Sequence, residues 1–280
     1  MRNISVAKIK DAVRELCLKA NFELRPDVMR GLRSALRAER SSRARGILRT
    51  IIDNARIASA NKLAICQDTG MVFISLELGQ DVHLAGGDLA KAINDGVKDA
   101  YCRGYLRTSV VADPLVRKNT RTNTPAMIAT EIVPGSRVKI TVSPKGFGSE
   151  NKSRIHMFRP TASARQIKDF VLDVVRASGA DACPPLILGI GIGGTFDKAA
   201  LLAKKALLRP IDKKNPVGGY ARLEKDLAKE INALKIGPMA LGGRTTALGV
   251  NILAYPTHIA GLPVAVNVSC HATRSASIIL

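Results

Sequence analysis

Residues 183–199 read CPPLILGIGIGGTFDKA. An unbroken apolar run, LILGIGI, passes through paired glycines into TFDKA and a helical pattern over about 196–208, as a buried strand feeding a helix does. Upstream, Ser163 can cap a helix over about 164–178 that carries Ile167, Phe170, Val171 and Val174, with Gly179 as its stop signal. Downstream, a helix over about 219–234 is followed by two strand candidates, GVNILAY (249–255) and PVAVNVS (263–269). Further toward the N-terminus, Val72, Ile74, Leu76 and Leu78 alternate as in a strand, and Gly87–Asp88 opens a helix over about 88–104. Residues 126–133 and 137–143 are β-rich runs joined by Pro134–Gly135–Ser136, which reads as a hairpin. The first 60 residues read as helices: Val6, Ile9, Val13 and Leu16 follow helical spacing, Pro26 suits a first turn, and a third stretch covers about 42–60. Helices and strands alternate without a strict βαβ beat, and no repeat or linker divides the chain. The pattern predicts an α/β fold: one domain over 1–280, with a helical region at 1–60 and a mixed β-sheet flanked by helices at 61–280.

Composition narrows the function. Hydrophobic residues make up 46% and charged residues 24%, as in a globular protein. No apolar run reaches the ~18 residues of a membrane span. The N-terminus, MRNISVAKIKDAVREL, lacks the apolar segment of a secretory signal, so a cytoplasmic location is expected. Net charge is +20, and residues 1–60 carry 14 basic and 6 acidic side chains. Aromatics are 4% and Trp is absent, which disfavours the stacking platform of a single-strand nucleic-acid binder. Solvated helix faces and contact with an acidic partner account better for the charge. Five cysteines, an odd number, with no export signal argue against disulfides. Buried thiols or metal ligands remain.

Cys66 opens CQDTG, Cys183 opens CPP and Cys270 opens CHATR, each where an element gives way to a turn. Thiolate ligands suit that placement, because the element end fixes the sulfur and turn N–H groups can bond to it. Cys17 and Cys102 lie inside helical patterns and read as small hydrophobes. The spacing alone is a weak metal signal, and a core role for all five stays open. Three converging thiolates would leave one iron of a four-iron cluster free to act as a Lewis acid. Gly189, Gly191 and Gly194 match GxGxxG, but Asp212, at the distance of the expected ribose-binding acid, sits in the loop LRPIDKKNP. A tight turn whose N–H groups face a cluster or carboxylate explains the glycines better than a dinucleotide. PKGFGSENKS (144–153) and GPMALGGRTTALG (237–249) offer further backbone donors, with Lys145, Arg244 and Arg107 as candidate carboxylate binders. Asp68 beside a thiolate needs a partner. His258, in YPTHIAGLP, could orient or protonate it, and His271 follows Cys270; a structural role for either histidine also stays open.

Collected together, CQDTG (66–70), RKNTRTNTPA (117–126), SPKGFGSENKS (143–153), CPPLILGIGIGGTFDKA (183–199) and GPMALGGRTTALGV…YPTHIAGLPVAVNVSCHATR (237–274) resemble the N-terminal half of class I fumarases. The same blocks resemble the α subunits of two-subunit fumarases and of L-tartrate dehydratase. The resemblance implies a 4Fe-4S cluster held by Cys66, Cys183 and Cys270, with the fourth iron open to substrate hydroxyl and carboxylate. It implies substrate contacts from Gln67, Asp68, Arg107 and the backbone around Gly146 and Gly148, with His258 paired to Asp68. Phe147 departs from the glycine or other small residue frequent there in relatives. The chain ends soon after CHATR, so a separate β subunit is expected to supply the base acting on carbon, in a dimer of αβ pairs active only together. The implied reaction is reversible hydration of fumarate to L-malate; dehydration of L-tartrate would use the same parts. A fully ligated iron–sulfur electron carrier or redox sensor, and a basic nucleic-acid-binding protein, are the readings from other classes.

Overall fold

The computed structural model describes residues 2–280. In chain order the elements are β1 (Arg2–Ser5), α1 (Val6–Phe22), α2 (Pro26–Ala38), α3 (Ser42–Asn61), β2 (Met71–Gly79), β3 (Val82–Ala85), α4 (Leu89–Arg103), β4 (Met127–Val133) and β5 (Val138–Lys145). They continue with α5 (Phe147–Glu150), β6 (Arg154–Phe158), α6 (Ala164–Ser178), β7 (Leu186–Gly193), α7 (Phe196–Ala206), α8 (Gly218–Ala233), β8 (Ala247–Tyr255), β9 (Leu262–Ser269) and β10 (Ala276–Ile279). Short 3₁₀ turns precede Cys183 and follow Gly237. This is the expected α/β architecture, with mixed sheets flanked by helices. The described residues form two compact units, one from residues 2–25, 54–147 and 274–280, the other from residues 26–53 and 148–273. No helix of the described residues is long and apolar enough to cross a membrane.

The first unit is built on the sheet β10-β5-β2-β4. Alternate side chains of β2 (Val72, Ile74, Leu76) and β5 (Val138, Ile140, Val142) pack against Ile9, Val13 and Leu16 of α1 and Ile93, Val97 and Tyr101 of α4. Strand period two meets helix period 3.6 along one face, which is what the alternation and the helical spacing each required. Ser5 caps α1 by accepting from the Ala7 N–H at 3.2 Å, and Asp88 caps α4 through the Lys91 N–H. β1 and β3 form a small parallel pair that the helical reading of the first residues did not include.

One expectation is overturned here. β4 and β5 are not a hairpin: β2 lies between them, parallel to β4 and antiparallel to β5. The physical reason lies in burial: β2 carries a continuous buried stretch from Val72 to Leu76 and satisfies both edges by pairing twice, whereas β4 is mostly exposed or half-buried and takes the sheet edge. Pro134–Gly135–Ser136 carries the chain across the end of β2, where Gly79 and Gln80 donate to Arg137 O and Val133 O, each at 2.9 Å.

The second unit is built on β6-β9-β7-β8. β7 explains its own sequence: Leu188, Ile190 and Ile192 face Val171 and Val174 of α6 and Leu227 and Ile231 of α8, while Gly189 and Gly191 face α7. A Cβ on Gly189 would stand 2.1 Å from Ala203 O, and one on Gly191 2.1 Å from Ala199 O. These two glycines let α7 lie directly on the strand. That close packing replaces the expectation that their N–H groups face a ligand; Asp212 is paired with Arg30 instead of serving a ribose. Helix α6 carries the expected Ser163 cap as a full capping box with Gln166, and ends at Gly179. At the C-terminus of α2, the buried Glu39 accepts from the N–H groups of Arg40, Ser41 and Arg244 at 2.8, 3.0 and 2.6 Å. Burial pushes its carboxyl up, but the three donors outweigh that and hold it below the usual range.

Candidate active site: a tethered CQDTG turn and two thiol-bearing turns

In the first unit, Cys66 lies on the loop from α3 into β2 and is partly exposed, as is Asp68, while Gln67 is exposed and Thr69 and Gly70 are buried. Both carboxylate oxygens of Asp68 are held by backbone. Gly70 N donates to Oδ1 at 3.0 Å and Phe147 N to Oδ2 at 2.7 Å. Gly146 leaves room for this, since a Cβ there would stand 3.0 Å from Asp68 Oδ2. Asp68 is therefore held against the loop that follows β5 through Phe147 N, a contact that sequence reasoning did not anticipate. An amide donates equally well from any side chain, so Phe147 does not disturb it.

The turn's own carbonyls are tied down from behind. The Asp68 carbonyl accepts from Arg274 Nη2, Thr69 O from the Tyr101 hydroxyl at 2.6 Å, and Gly70 O from Asn123 Nδ2 at 3.1 Å. Thr69 Oγ1 donates to Arg107 O at 2.6 Å, so the backbone at Arg107 is locked to the turn while its guanidinium is exposed. Burial pushes the Tyr101 hydroxyl well above its ordinary pKa, so it serves as a neutral donor. Sequence reasoning missed Tyr101, Asn123 and Arg274. The last two stand inside quoted blocks, RTNTPA and CHATR, where a buried amide or guanidinium was the available signal.

Gly70 adopts φ +76°, and a Cβ there would meet the Lys145 backbone at 2.7 Å. Gly70→Ala combines a left-handed penalty with a steric clash that the sheet cannot relieve. It is expected to destabilise the protein by about 2–4 kcal/mol, read as a fall in the urea midpoint.

In the second unit, Cys183 is exposed between a 3₁₀ turn and β7, and Cys270 is partly exposed just past the end of β9. Cys183 has φ +52°, a left-handed conformation uncommon for a non-glycine residue. His271 bonds back to it. Its backbone N lies 3.4 Å and its Nδ1 3.0 Å from Cys183 O; a carbonyl only accepts, so Nδ1 carries the proton. Thr273 closes the CHATR turn by donating N–H and Oγ1 to Cys270 O at 3.1 and 2.8 Å. The second unit thus brings the Cys183 and Cys270 turns together, through the histidine singled out beside Cys270. His258 and Gly148 also belong to this unit. His258 is exposed on the β8–β9 loop and accepts the Ala260 N–H on Nδ1 at 3.2 Å.

The remaining cysteines separate from these three. Cys17 is fully buried, and burial drives its thiol pKa far up, so it remains protonated. Cys102, expected as a small core hydrophobe, is exposed; Tyr101 takes the inward position on α4 and leaves its neighbour outside. Among the described residues, no group of three or more His, Cys, Asp or Glu forms a ready metal site. What fits an iron–sulfur group is the donor chemistry: three cysteines that are exposed or partly exposed, Cys183 and Cys270 at element ends and Cys66 in the α3–β2 loop.

The sequence profile of the Fumerase family, described as fumarate hydratase, matches residues 10–279. The chain belongs to the class I fumarate hydratase family. Relatives that it resembles include the "Putative L(+)-tartrate dehydratase subunit alpha" of Methanocaldococcus jannaschii, 40% identical over 96% of both chains. The L(+)-tartrate dehydratase subunit alpha of Escherichia coli O157:H7 is 30% identical over 99% of this chain and 92% of its own length. The Escherichia coli K12 subunit of that name is 29% identical with the same coverage. This fumarate hydratase family comprises hydro-lyases, and the relatives are named as α subunits.

Proposed function

We propose that this chain is the α subunit of an iron–sulfur hydro-lyase that interconverts fumarate and L-malate together with a separate β subunit. The observation that carries the reading is the Asp68 carboxylate, fixed by two backbone N–H groups in the turn that Cys66 opens. Cys66, Cys183 and Cys270 would hold a 4Fe-4S cluster. When bound, such a cluster supplies a Lewis-acidic iron that polarises the substrate hydroxyl.

Asp68, with His258 as its partner, holds or delivers the proton on that hydroxyl oxygen, so that it departs as water. Gln67, Arg107 and the backbone at Gly146 and Gly148 hold the carboxylates. The carbon-bound proton goes to a base of the β subunit. Exposed Arg33, Arg37, Arg40, Arg43 and Arg49 on α2, α3 and their connection support an acidic surface on a partner. A dimer of αβ pairs and a cytoplasmic location, where thiols stay reduced, complete the proposal.

A second reading, dehydration of L-tartrate, is favoured by the relatives' names. The test is an anaerobically reconstituted αβ complex assayed with L-malate, fumarate and L-tartrate. Higher kcat/KM for malate and fumarate is expected. Preference for tartrate would transfer the assignment to the second reading. A loaded cluster whose spectrum no dicarboxylate perturbs would instead indicate an electron carrier or redox sensor.

A further inference from the structure

Arg274 is only 3% exposed. Its Nη2 donates to the Asp68 carbonyl. Nε and Nη1 have no hydrogen-bond partner among the described residues, and the guanidinium joins no ion pair among them. Ser143 Oγ donates to the Arg274 carbonyl at 2.9 Å, anchoring the backbone and leaving the charge where it is. The nearby Tyr101 hydroxyl is neutral because burial raises its pKa, with the Arg274 charge opposing that rise. One carbonyl dipole does not balance a full buried charge, and an uncompensated buried cation is costly. Ordered water can satisfy N–H groups but brings no counter-charge.

The cation donates to the backbone of the same turn that carries Cys66 and Asp68, two residues that are partly exposed. A guest bound there through thiolates, and carrying a dicarboxylate, would be anionic. We propose that Arg274 is a positioning residue whose buried charge compensates the anionic iron–sulfur cluster and dicarboxylate bound at the 66–70 turn. This rests on the function proposed above. Through the low-dielectric interior the charge acts on the guest without touching it, and its bond to the Asp68 carbonyl holds the turn at the same time.

The test uses Arg274→Gln, which keeps a donor for the Asp68 carbonyl but loses the charge, Arg274→Met as a second neutral variant, and Arg274→Lys. Each is assembled anaerobically with the β subunit. In the neutral variants the cluster's reduction potential should shift to more negative values, because a removed positive charge disfavours adding an electron. KM for the dicarboxylate should rise about tenfold, with kcat changing less. Arg274→Lys should keep the wild-type potential. A second readout is melting temperature with and without the cluster: loading should raise it less in the neutral variants than in the wild type.

A purely structural arginine would lower the melting temperature of loaded and unloaded protein alike and leave the potential in place; that result overturns the inference. If neither neutral variant assembles, a shifted potential in Arg274→Lys, where the charge persists, overturns it too. Wild-type complex that binds no iron or sulfide would defeat the proposed function, and this inference with it. Wild type that loads while Arg274→Gln matches it defeats this inference alone.

Discussion

Asp68→Asn in the assembled αβ complex is expected to lower kcat by about 10²–10⁴-fold, the usual contribution of a positioned general acid or base, while iron and sulfide content stays near wild type. The carboxylate accepts at both oxygens, from Gly70 N and Phe147 N. An asparagine amide can accept at only one of those positions, and at the other its NH₂ faces a backbone N–H. The variant therefore loses its acid–base function and one charge-assisted bond at once, the latter worth about 1.5–3 kcal/mol. Stability and rate are separable by measuring the urea midpoint beside kcat. A complex that retains kcat within a few-fold of wild type would remove Asp68 from proton handling.

The second large effect is expected at Cys183. Anaerobically purified Cys183→Gly should lose the cluster's visible absorption and its iron and sulfide, and with them all activity. The same substitution should stabilise the unloaded chain, or at worst leave it unchanged. Cys183 is exposed, so no core packing is lost, and its φ of +52° costs a side-chain-bearing residue about 1–2 kcal/mol that glycine does not incur. Loss of loading with a fold at least as stable as wild type separates a ligand from a structural thiol. Cys102→Ser is the control, with loading unchanged. Retention of iron by Cys183→Gly would exclude Cys183 as a ligand and dismantle the proposed three-thiolate site.

Much of this chain was legible from its residues. The helices at 6–22, 89–103 and 164–178 follow apolar spacing and caps that act within a few residues, and the strands at 71–79, 186–193 and 262–269 follow local apolar runs. The turns bearing Cys183 and Cys270 were visible for the same reason, since the end of an element is a local event, whereas Cys66 proves to lie within the α3–β2 loop and not at an element end. Other features had no local signature. The strand neighbours of β2, the exposure of Cys102 and the packing role of Gly189 and Gly191 each depend on a surface brought in from elsewhere in the chain.

By itself the amino-acid sequence determined the type of most elements, the family and the residues able to do chemistry, because hydrophobic period, capping and motif content are written within short windows; the short strands β3, β6 and β10 escaped it. Tertiary structure decided that β2 separates β4 from β5, and that Tyr101, Asn123 and Arg274 grip the 68–70 carbonyls from positions up to 206 residues away. A buried carbonyl must find a donor, but nothing in its neighbourhood along the chain specifies which one. Packing of the whole unit makes that choice.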